Sequence, residues 1–112
     1  MNAAPAGGGG MSSKYGAIKT KVDGFVFASK REAHRYSELK LAECNGDIFN
    51  LELQPKFPLI VNGKKVASYI ADFRYTEHGQ VVVEDSKGFR TAVYRLKKKI
   101  VEAQYGIEIT ET

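Results

Sequence analysis

An α/β domain in the order hairpin, helix, three strands, helix, strand is predicted by three features of the chain. Stretches 49–57, 66–76 and 81–87 either alternate apolar with polar residues or run together β-branched and aromatic ones, which is the pattern of strands. Stretches 29–44 and 91–105 instead repeat their apolar residues every three or four positions and carry helix start and stop signals. With 112 residues, 43% of them apolar, the chain can bury one core and is expected to form one domain over 14–112.

Residues 1–13 contain Ala-Pro-Ala and four consecutive glycines, too little apolar surface to offset the entropy of ordering, and are expected to form a disordered leader. Met11 offers an alternative start. Residues 19–28 read as a small hairpin turning at Asp23-Gly24, with Phe25 and Phe27 on its inner face. Ser29-Lys30-Arg31-Glu32 matches a capping box that opens the first helix, and Asn45-Gly46 closes it. In the first strand Phe49, Leu51, Leu53 and Phe57 alternate against Asn50, Glu52, Gln54 and Lys56. Asn62-Gly63 is a hairpin signal, 66–76 the second main strand, 77–80 a polar turn and 81–87 the third strand. The second helix places Val93, Leu96, Ile100 and Ala103 on one stripe and ends at Gly106; 107–110 is a short last strand.

Lysine and arginine number 17 against 13 acids, a net charge of +4 that favours a polyanionic partner. The distribution is sharper than the total: Lys87, Arg90, Arg95, Lys97, Lys98 and Lys99 fall together with no acid among them. Cys44, the sole cysteine, excludes an internal disulfide and a thiolate metal cage; it reads as a small, partly buried residue near a helix end. No stretch reaches membrane-spanning length, so a soluble cytoplasmic protein is expected.

Chemistry concentrates in Asp72 and in Asp85-Ser86-Lys87. Side chains two apart on a strand point the same way, so Asp85 and Lys87 share one face while Glu84 and Ser86 take the other. Two carboxylates and an ammonium suit phosphodiester hydrolysis: the carboxylate oxygens hold Mg²⁺ and the lysine stabilises developing charge or orients water. Solvated charges at strand ends produce the same spacing. His34 and His78 lack the partner spacing of a zinc site.

The order of elements and the placement of these acids resemble the PD-(D/E)XK nuclease superfamily and its restriction-endonuclease-like core. Closer still, Lys14-Tyr15-Gly16, Ser29-Lys30-Arg31-Glu32-Ala33, Leu51-Glu52-Leu53-Gln54-Pro55, Tyr69-Ile70-Ala71-Asp72-Phe73 and Glu84-Asp85-Ser86-Lys87-Gly88 resemble a largely phage-encoded family of short predicted endonucleases. Ala71 stands where the superfamily motif has proline. The resemblance implies a Mg²⁺- or Mn²⁺-dependent endonuclease acting on DNA, branched or phage intermediates included. Asp72 and Asp85 would ligate the metal, with the Ser86 carbonyl, and Lys87 would contact the attacking water and the scissile phosphate.

Glu32 has two explanations: it completes the capping box, or, lying on the stripe of Tyr36 and Leu39, it is the acid that the superfamily's first helix often supplies to the site. Glu43, three turns further along, is expected to be solvated. Gln54 is either an ordinary outer-face residue or, by the likeness of Leu-Gln-Pro to a segment in the cleaving subunit of a bacterial transposase, part of the site. Arg90, Arg95 and Lys97 would grip the nucleic-acid backbone, while Lys98 and Lys99 fall on the outer face of their helix. Superfamily members that cut both strands commonly work as dimers, an analogy that extends to a homodimer here. Two rival readings remain: an idle DNA-binding module of the same fold, and a protein-interaction domain.

Overall fold

The structure, a computed structural model, describes residues 19–86 and 90–112. The expected leader, Lys14-Tyr15-Gly16 and Lys87 lie outside the described residues. Among these residues the chain is α/β, with two helices and eight strands. Its contacts divide it into two compact units, Met1–Glu38 and Leu39–Thr112, the boundary falling inside the first helix.

In the first unit, strands β1 (Thr20–Val22) and β2 (Phe25–Phe27) pair antiparallel. Asp23 and Gly24 both take positive φ, 52° and 83°, the backbone of the two-residue turn that matches strand twist. Helix α1 (Lys30–Cys44) starts as the capping box predicts, with the Glu32 N–H donating to Ser29 Oγ at 3.2 Å. Phe27 packs its ring 5.1 Å from that of Tyr36, whose hydroxyl donates to Asp23 Oδ2 at 2.9 Å. Phe25 stays half-exposed, touching Tyr36 with its edge, so only one of the two expected inner phenylalanines is buried.

In the second unit α1 ends in a Schellman motif. Gly46, at φ 81°, donates to the Glu43 carbonyl at 3.1 Å, and Asp47 donates to that of Ala42 at 2.9 Å. Cys44, beside this cap, is exposed rather than partly buried.

Two of the three expected strands are each split in two. The first becomes β3 (Phe49–Leu53) and β4 (Lys56–Val61), separated by Gln54 at φ 50° and by Pro55, which has no N–H to give a ladder. The second becomes β5 (Lys64–Ile70) and β6 (Phe73–Glu77), separated by Ala71 and Asp72. Strand β4 pairs with β5 across the Asn62-Gly63 turn, and β3 pairs with β6, so the four pieces form one long hairpin bent in the middle. Hydrogen bonds carry the ladder through the bend: Gln54 N–H to the Asp72 carbonyl at 2.8 Å, and Ala71 N–H to the Pro55 carbonyl at 3.1 Å. The third strand, β7 (Gln80–Asp85), runs antiparallel to β6 after the His78-Gly79 turn. Helix α2 (Ala92–Tyr105) then crosses over to β8 (Ile109–Glu111), which lies parallel to β7. The result is a four-stranded sheet ordered β3-β6-β7-β8 and a separate two-stranded ribbon β4-β5.

Thr91 caps α2 by accepting the Tyr94 N–H at 3.0 Å, and Gly106 at φ 65° ends it. The expected stripe on this helix is not the buried one. Val93 and Leu96 are 62% and 59% exposed, whereas Tyr94 and Val101 are buried and Ile100 partly so. Tyr94 and Val101 meet Phe57, Leu59, Tyr69, Ala71, Val83 and Ile109 in the principal core. Two apolar stripes compete on this helix, and the larger Tyr94 side chain decides between them by the area it removes from water.

Glu43 is also not simply solvated. Asn50 at φ 57° breaks the β3-β6 register, and Glu43 Oε2 accepts the Leu51 N–H in the disrupted stretch, at 3.1 Å. No described helix is long and apolar enough to cross a membrane.

Candidate functional site

The bend in the long hairpin positions Asp72. Its N–H donates to the Glu84 carbonyl at 3.0 Å, its carbonyl accepts from Gln54, and its carboxylate Oδ2 accepts the Ser86 N–H at 2.6 Å. Asp72 is thereby tied to the end of β7 by main chain and side chain together. Asp85 stands at that end, 0% exposed; its Oδ2 accepts the Tyr69 hydroxyl and its carbonyl accepts the Thr112 N–H at 3.2 Å. Four residues singled out in the sequence therefore meet at one bend: Gln54, Asp72, Asp85 and Ser86. Gln54 contributes its main chain there and is itself exposed.

The donor set is one a hard cation accepts. Two carboxylates and the Ser86 carbonyl supply only oxygen, and Mg²⁺ binds through one or two carboxylates while keeping several waters. Ser86 Oγ, buried, makes no hydrogen bond with the described residues. Among the described residues no group of three or more His, Cys, Asp or Glu is arranged for a metal.

Sequence reasoning missed the tyrosines behind the acids. Burial, and then the Asp85 carboxylate, push the Tyr69 phenol well above its ordinary range, so it remains a fixed donor to Asp85. Its ring centroid lies 6.3 Å from that of Tyr94, which burial and then Glu111 also push upward. The Tyr94 hydroxyl donates to Glu111 Oε2 at 2.7 Å. Glu111, directly opposite Asp85 in the parallel register, is held below the usual carboxylate range, first by this hydrogen bond and then by Arg90. Period-two spacing does put Tyr69 and Ala71 on one face, but it cannot say that Asp85 lies above them.

The basic residues separate into three groups. Arg90 is exposed but bonded to Glu111 Oε1 at 3.1 Å, and Lys98, expected on the outer face, is half-buried with its ammonium 3.8 Å from Glu111 Oε2. Lys97 is half-buried and lines a groove of about 400 Å³ between β5 and α2, beside Tyr69 and Tyr94. Arg95 and Lys99 are exposed. Glu32 belongs to the first unit, buried in the first turn of α1, whereas Asp72 and Asp85 belong to the second.

No curated protein and no solved structure matches the chain. One family model does, over residues 12–111, which takes in Asp72, Asp85, Lys87 and every described strand and helix. The chain therefore belongs to the family described as Protein of unknown function (DUF1064).

Proposed function

We propose that this chain is a metal-dependent endodeoxyribonuclease with a restriction-endonuclease-like core of PD-(D/E)XK type. The observation that carries the reading is that Asp72, just before β6, is bonded to the end of β7 where Asp85 stands, with Ser86 N–H on one carboxylate and Tyr69 O–H on the other. Counting each half of the bent hairpin as a single strand leaves three strands between the helices, the order of that core.

In this reading Asp72 and Asp85 hold Mg²⁺ or Mn²⁺, aided by the Ser86 carbonyl. When bound there, the ion supplies a Lewis acid for the phosphate and a more acidic water. Tyr69 keeps the Asp85 carboxylate in one orientation, and Ser86 N–H does the same for Asp72. Lys87, two residues after Asp85, meets the developing negative charge. Arg95 and Lys99, exposed on α2, reach the phosphate backbone and make binding sensitive to salt.

Nicking of supercoiled DNA by the purified chain tests this. Cleavage is expected with Mg²⁺ or Mn²⁺ and none in EDTA. Asp72→Asn should be silent yet folded, because the carboxamide oxygen can still accept the Ser86 N–H while the negative charge is gone. Equal cutting in EDTA, or Asp72→Asn cutting at the parent rate, overturns the reading.

A further inference from the structure

The ribbon β4-β5 leaves the sheet at the bend, and apart from Tyr69, which holds Asp85, it has no part in the site just described. It is not a loose hairpin. Phe57, Leu59 and Tyr69 on its inner face pack on α2 in the principal core. Its edge is tied to the last turns of that helix: Gln104 Oε1 accepts the Ile60 N–H at 3.0 Å, and the Pro58 carbonyl accepts from Gln104 Nε2 at 3.1 Å and from the Tyr105 hydroxyl at 2.7 Å. Two strands alone are marginal in water, so this buttress is what fixes the ribbon in place.

The tip, by contrast, is bare. Ile60, Val61 and Val66 are 41%, 54% and 59% exposed. Lys56, Lys64 and Lys65 are exposed as well, and no acid occurs between Lys56 and Ile70. A register shift after Leu59 makes Val66 the extra residue, so Lys65 lies opposite Ile60 and Lys64 opposite Val61. Neighbouring strand positions point to opposite faces, so the two ammonium groups flank the tip, one on each face.

We propose that this ribbon is a duplex-binding arm, resting on the nuclease reading above, whose tip enters a groove of the DNA. A two-stranded ribbon fits the major groove, and phosphates border a groove on both sides. Lys64 and Lys65 reach phosphates on the two sides, while Ile60 and Val61 lie against the sugar and base edges. The charge complementarity is complete, since the arm carries lysines and no acid.

The test uses the full chain and a fluorescein-labelled DNA duplex in Ca²⁺ buffer, with affinity followed by anisotropy over a series of NaCl concentrations. Each lost phosphate contact lowers the salt slope by about 0.9, so Lys64→Ala/Lys65→Ala should flatten it by roughly 1.8. An unflattened slope in the ribbon variant overturns the proposal. So does a parent that fails to bind duplex, or a ribbon variant that changes only the sedimentation coefficient, since the tip would then contact a second copy of the chain. A parent that binds DNA but never cuts it sinks the nuclease reading, while a flattened slope would still support the arm.

Discussion

Tyr69→Phe removes one oxygen atom and isolates how Asp85 is held. Both residues are enclosed, at 3% and 0% exposure, and the phenol donates directly to the carboxylate. The ring contacts survive the change, since phenylalanine keeps the centroid separation of 6.3 Å to both Phe57 and Tyr94. What is lost is a charge-assisted hydrogen bond to a buried carboxylate, about 1.5–3 kcal/mol. At about 2 kcal/mol, a chain of this size should melt roughly 8 °C lower. The melt is followed by circular dichroism in EDTA, where no metal can compensate. In the proposed metal site, adding Mn²⁺ measures a second consequence, because losing a group that orients a ligand weakens metal affinity or activity about 10–100-fold. A variant that melts within about 1 °C of the parent in EDTA would show that Asp85 does not depend on the phenol.

Two further outcomes test the frame around the site. The Leu51 N–H, then Lys40, hold the Glu43 carboxyl below its ordinary value of 4.5, so its contribution to stability is full above 4.5 and fades as pH falls through the lower folded-state value. The melting gap between the parent and Glu43→Gln should therefore be widest at neutral pH and close on acidification, and a gap that ignores pH contradicts this. Gly46→Ala places a Cβ at φ 81° in the cap of α1 and should cost about 1 kcal/mol, or roughly 4 °C in Tm; an unchanged Tm would show that the cap adapts.

Local signals in the sequence predicted local structure well. The expected turns at Asp23-Gly24 and Asn62-Gly63 each adopt the paired positive φ values that their composition favours, and the expected polar turn over 77–80 takes the same pair at His78-Gly79. The Ser29 cap and the Gly46 and Gly106 stops bound the helices where the chain puts them. Two features escaped for a different reason. The buried stripe of α2 depends on which side chains the sheet offers it, and the role of Glu43 depends on a bulge in a strand eight residues away.

The bend carries the deeper reason why the site was only half legible. Tyr69, Ala71, Phe73 and Tyr75 are all buried, an unbroken alternation that reads as one strand with one inner face. Yet Tyr69 and Ala71 belong to the core under α2, while Phe73 pairs with Glu84 on the face opposite Val83. The partner chain changes face at the same level: Leu53 pairs with Phe73, whereas Phe57 pairs with Tyr69. Pro55 announces the break on one side of the hairpin, but Ala71 and Asp72 carry no breaker of their own and bend only because their partner does. A one-residue change of phase exchanges the faces of everything beyond it. Asp72 sits at that exchange, where its backbone is held by Gln54 and Glu84 and its carboxylate is turned to Ser86. Alternation in the sequence predicts Asp85 and Lys87 on one face; the change of phase is what brings Tyr69 from β5, and Asp72 from the bend, to the same end of β7.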